Sequence, residues 1–69
     1  MRYTLVKETI NDDILGSYES FDIENESGYK VSDISTNIQD VKKLLSIINE
    51  KQTPENYLLY EIDRILSEI

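Results

Sequence analysis

Apolar and polar residues alternate through "RYTLVKETI", Arg2 to Ile10, with Tyr3 and Leu5 on one side and Thr4, Val6 and Glu8 on the other. A period of two in a stretch rich in β-branched and aromatic residues predicts a strand over about 2–10. Asn11-Asp12-Asp13 follows as a turn, because Asn and Asp side chains bond their own backbone. The return strand is expected over about 14–24, with Leu15, Phe21 and Ile23 on one parity and Ile14 and Tyr18 on the other. Gly16 would permit a bulge that switches that phase. Beyond "ENESG" a third strand, about 29–34, sets Tyr29, Val31 and Asp33 on one face and Lys30, Ser32 and Ile34 on the other.

The apolar spacing then lengthens to the period of a helix. Thr36 with Gln39 three residues later fits a capping box, so "STN" reads as a helix start rather than a ligand loop. The helix predicted over about 37–51 places Ile38, Val41, Leu44, Leu45 and Ile48 within an arc of about 120°, taking roughly 100° per residue. At "TPE" the chain restarts: Thr53 suits an N-cap, Pro54 the first helical position, and Glu55 the positive end of the helix. A second helix over about 54–68 carries Leu58, Ile62, Ile65, Leu66 and Ile69 as its buried stripe. The pattern therefore predicts an α+β fold, a three-stranded antiparallel meander followed by a two-helix hairpin packed on one sheet face, in one domain spanning 1–69. One sheet face is left open.

From Tyr29 onward, "Y-K-V" leads to "D-I-S-T", then "V-K-K-L-L" and "I-N-E-K-Q-T-P". This block resembles an uncharacterised family of short bacterial proteins, a domain of unknown function in which a D-I-S-T step precedes a two-helix C-terminus. Where that family has a polar, His-containing segment between its helices, this chain has Thr53-Pro54-Glu55-Asn56. The resemblance implies a fold and no activity.

Charge changes the picture of possible partners. The 69 residues hold 14 acidic and 7 basic side chains, a net charge of −7. Residues 1–36 contribute eight acids against Arg2, Lys7 and Lys30, net −5, and the remainder six against Lys42, Lys43, Lys51 and Arg64, net −2. Direct binding to DNA or RNA relies on a basic face that displaces counterions from phosphates, and none is expected here. No apolar run approaches the roughly 20 residues of a membrane span, and the N-terminus has no apolar signal core. A chain free of cysteine fits a reducing compartment, so a cytoplasmic protein without membrane contact is expected.

Chemistry is constrained in the same way. Without His or Cys the usual general base near neutral pH, thiolate nucleophiles and most zinc sites are lacking. No catalytic residue, cofactor or metal site is expected, and the chain reads as a non-enzyme. Asp22, Glu24, Glu26 and Asp33 occupy positions 1, 3, 5 and 12 of a would-be calcium loop. However, the turn glycine arrives one place late as Gly28, and the flanks read as strands rather than helices. Lys42, Lys43, Lys51 and Arg64 read as solvated helix faces interrupted by Asp40 and Glu50.

Two functional expectations follow. The first is a small protein-interaction module with a partner protein or a second copy as ligand, using Ile47, Tyr57, Leu59 and Tyr60, which lie outside the main helix stripes. The alternative for the two tyrosines is packing within the monomer with only their hydroxyls in water. The second expectation is an acidic decoy of the phage, DNA-mimic or anti-CRISPR type. It would fill the basic groove of a nucleic-acid-binding protein with Asp12, Asp13, Glu19, Asp22, Glu24 and Glu26.

Overall fold

The computed structural model describes residues 2–68. Three strands, β1 (Tyr3–Asp12), β2 (Gly16–Asn25) and β3 (Lys30–Ser35), form an antiparallel sheet in the order β1-β2-β3. Helices α1 (Ile38–Lys51) and α2 (Glu55–Ser67) follow and pack on one side of it. This is the expected α+β architecture. The pairing of β1 with β2 runs unbroken from Tyr3 opposite Asn25 to Asp12 opposite Gly16.

Alternation decides which face is buried. Tyr3, Leu5, Phe21 and Ile23 point to the helices and meet Val41, Leu44 and Ile48 of α1 and Leu58, Ile62 and Ile65 of α2 in one core. Ile38, Leu45 and Leu66 pack at its margin, while Ile69 lies outside the described residues. On β3 the expected parity fails after Val31, where Ile34 joins the core instead of Asp33. The reason is a bulge. The register jumps between Ile23–Val31 and Phe21–Ser35, and Asp33 takes a left-handed φ of 51°, which the short polar Asp tolerates better than most side chains.

Both helix starts differ from the sequence reading. Asn37, not Thr36, is the N-cap of α1, its side chain accepting from the Gln39 amide at 2.9 Å. Asn is at least as good a cap as Thr, and here it stands one place closer to the first helical turn. At α2 the N-cap is Pro54, with no side-chain cap bond, and Thr53 is buried. Thr53 has other uses. Its amide bonds to Ile48 O at 3.0 Å while Gln52, at φ 54°, bonds to Asn49 O at 3.2 Å, so the pair closes α1 in a Schellman motif. Its carbonyl accepts from the Tyr3 hydroxyl at 2.8 Å, joining β1 to the corner between the helices.

Candidate functional site

The first turn lies two residues further along than the sequence predicts, at 13–15 instead of 11–13, and it exposes what the sequence assigns to a strand. Asp12 Oδ1 accepts from the amides of Ile14 and Leu15, each at 2.8 Å, and Gly16 closes the turn at a positive φ of 80°. These two bonds also hold the Asp12 carboxyl below its ordinary range, the one from Leu15 first. Pinned in this way, Ile14 is 91% and Leu15 75% exposed, so Leu15 is not a member of the core parity.

That turn crowns a projecting arm. β3 stops where Ser35 pairs with Phe21, whereas β1 and β2 continue together to Asp12 and Gly16. On the helix side of the arm Lys7 and Glu19 form a 3.3 Å ion pair, and on the open side Ile10 lies opposite Tyr18. Between the arm and the start of α1 is a groove of about 450 Å³ lined by Leu15, Tyr18, Asp33, Ile34, Ser35 and Thr36. Thr36 thus contributes to a groove wall rather than to the helix cap.

The floor of the arm is polar and mostly satisfied. Ser20 Oγ donates to Asp33 Oδ1 at 2.5 Å and Tyr18 Oη to Asp33 Oδ2 at 3.4 Å. The bulge turns the Asp33 amide onto Asp22 Oδ1 at 2.9 Å. Asp22 is fully buried, and its Oδ2 is the one buried side-chain atom among the described residues without a hydrogen-bond partner. Lys30 Nζ lies 3.9 Å from that oxygen and 4.0 Å from Glu8 Oε2. The Glu8 pKa is raised, first by the Asp22 carboxyl beside it and then by desolvation, with Lys30 acting in the opposite direction.

The four residues expected at an interface differ in exposure. Ile47 is partly buried against the core, while Tyr57, Leu59 and Tyr60 of α2 are exposed. At roughly 100° per residue, Tyr57 and Tyr60 share one flank of the helix with Arg64 and Leu59 lies on the other. The six acidic residues are likewise divided. Asp12 and Asp13 sit at the arm tip and Glu19 on its helix side, Asp22 is buried, Glu24 is half-buried on the open face, and Glu26 lies in the second turn. That second turn is organised by Asn25, whose Oδ1 accepts from Ser27 N and Tyr29 N, each at 3.0 Å, and from Ser27 Oγ at 2.8 Å. Glu55 of α2 accepts from Asn25 Nδ2 and Ser27 Oγ, which lowers its pKa.

The alternating pattern assigns Ile14, Leu15, Tyr18 and Ile34 to strand faces and gives no sign of the exposed tip and groove they line. The available signal was Asp12 placed two and three residues before Ile14 and Leu15, with a glycine immediately after them. Among the described residues no group of three or more potential ligands converges on a metal position, and no helix is long and apolar enough to cross a membrane. No family model matches the chain, nor does any curated protein or solved structure.

Proposed function

We propose that this chain is a non-enzymatic protein-interaction module that docks a partner protein through the tip of its β1–β2 arm and the groove behind it. One observation carries the reading: a small domain holds two adjacent large aliphatic side chains, Ile14 and Leu15, out in solvent by means of a specific side-chain turn. Scattered exposed aliphatics are ordinary, but a rigid apolar tip next to a groove walled by Tyr18 and Ile34 is a contiguous surface. Seating each of the two in a partner pocket is worth about 1.5–3 kcal/mol, enough to anchor a modest interface. The absence of His and Cys supports a binding role over a catalytic one, and a cysteine-free chain suits the cytoplasm.

The acidic-decoy reading rests on the net charge of −7 alone. The carboxylates it requires are divided between the arm tip, both sheet faces, the interior and the second turn, which gives it no duplex-like row.

The test is co-purification from the native host with wild type, with Ile14→Asp/Leu15→Asp, and with Tyr57→Glu/Tyr60→Glu as a control on α2. A partner retained by wild type and by the α2 variant, and lost by an arm-tip variant that melts like wild type, is the expected result. Equal retention by the arm-tip variant overturns the reading.

A further inference from the structure

The outer edge of β1 carries unmet main-chain valences of a defined register. Tyr3 directs its N–H and C=O away from β2, since the amide donates to Asn49 Oδ1 at 2.8 Å and the carbonyl accepts from Asn49 Nδ2 at 2.9 Å. In an antiparallel ladder such groups alternate in direction. The main chains of Leu5, Lys7, Thr9 and Asn11 therefore face the same edge, while those of Thr4, Val6, Glu8, Ile10 and Asp12 bond to β2. Among the described residues nothing hydrogen-bonds to the outward groups of those four. The Asn49 amide imitates the first rung of a neighbouring strand and leaves the remaining rungs free.

Exposed edges are usually blunted by proline, a bulge or inward charge. β1 has no proline, and its ten pairs with β2 run without a register shift. Its one lysine, Lys7, is engaged with Glu19. On the open face this strand presents Val6, Glu8, Ile10 and Asp12, aliphatic and acidic residues in alternation.

We propose that the β1 edge accepts an extended basic segment of a partner protein as a fourth strand, with Lys or Arg opposite Glu8 and Asp12 and aliphatic residues opposite Val6 and Ile10. Main-chain bonds to Leu5, Lys7, Thr9 and Asn11 supply affinity, and the alternating face supplies selection. Charge complementarity with a chain of net −7 favours a basic strand over a second copy. The two-fold register that uses all four outward residues pairs Lys7 with Thr9 and Leu5 with Asn11, and it sets Glu8 directly against Glu8 of the copy. Like charges so placed oppose pairing.

The experiment follows amide hydrogen exchange by NMR in the full chain with a saturating eight-residue peptide that carries valine and lysine in turn at every second position and threonine between them, so that both fall on the face meeting Val6, Glu8, Ile10 and Asp12, against a matched peptide with glutamate in place of lysine. Exchange at Leu5, Lys7, Thr9 and Asn11 is expected to slow about tenfold or more with the basic peptide only. Thr9→Pro removes an outward N–H without removing a ladder bond and should abolish the response at an unchanged melting temperature. Ile14→Asp/Leu15→Asp should respond like wild type, so failure at the edge and failure at the arm tip are separately visible. The proposal is overturned if these four amides do not slow. It is equally overturned by equal slowing with both peptides, or by slowing that grows with the chain's own concentration in the absence of peptide, which would give the edge to a second copy.

Discussion

Tyr3 and Asn49 exchange two hydrogen bonds, main-chain N–H to Oδ1 at 2.8 Å and Nδ2–H to main-chain carbonyl at 2.9 Å, across 46 residues of sequence. With the Tyr3 hydroxyl on Thr53 O, the first strand is fixed at both its backbone and its side chain to the end of α1. Asn49→Ala should therefore cost about 1–3 kcal/mol, because it strands a partly buried donor and acceptor together. Tyr3→Phe should cost about 1 kcal/mol for the loss of one buried bond at constant shape. Urea midpoints measure both, and a neutral Asn49→Ala would mean that water replaces the side chain without loss.

The two ends of α1 make opposite predictions. Asn37→Ala should destabilise by about 1 kcal/mol, whereas Thr36→Ala should change little, since the cap bond belongs to Asn37. At the other end Gln52 holds a left-handed φ of 54° with its side chain exposed. Gln52→Gly should stabilise by about 0.5–1 kcal/mol by removing the Cβ penalty there. Thermal melts of the three variants test these signs, and a larger loss in Thr36→Ala than in Asn37→Ala would return the cap to Thr36.

Acid titration separates two groups of carboxyls. Hydrogen bonds lower the pKa values of Asp12, Glu55 and Glu61, from the Leu15 amide, Asn25 and Arg64 respectively. Their contribution is present above the ordinary carboxyl range and is lost as pH falls through the depressed folded values. Glu8 has the opposite sign. Its folded pKa is raised by the neighbouring Asp22 carboxyl and by desolvation, so that contribution is complete below the ordinary carboxyl pKa of about 4.3 and is lost as pH rises through the elevated value. Glu8→Gln, whose amide can donate to Asp22 Oδ2 at every pH, should abolish the decline on the alkaline side and leave the acid limb intact. Identical pH profiles for the urea midpoint in wild type and Glu8→Gln would contradict this contribution from Glu8.

All five elements were legible in the sequence, because strand and helix periods differ and each boundary carries punctuation such as Gly28 or Pro54. The faces of β1 and β2 were legible as well, yet their cross-strand neighbours were not. A turn at Asn11–Asp13 sets Ile10 opposite Ile14, whereas the same three-residue turn moved two places on, to 13–15, sets it opposite Tyr18, a shift of four residues that preserves parity and replaces every partner. Hence the approach of Glu8 to Asp22, which depends on register, lay beyond a reading based on alternation. The exposure of Ile14 and Leu15 was missed for a related reason. A single Asp12 side chain overrides the strand preference of two aliphatic residues, and periodicity does not register side-chain-to-backbone bonds. The Asp33 bulge moved Ile34 into the core in the same manner, by a local backbone choice invisible to a period of two.

Site-specific photo-crosslinking in the native host tests the docking account most directly, with the reactive group placed in turn at Leu15 on the arm tip, at Leu59 on α2 and at Lys43 on the solvent side of α1. The account predicts a discrete protein adduct from position 15 that is competed by untagged wild type and not by Ile14→Asp/Leu15→Asp, with none from position 43. An adduct from position 59 alone, with position 15 silent, would contradict it and move the interface to α2.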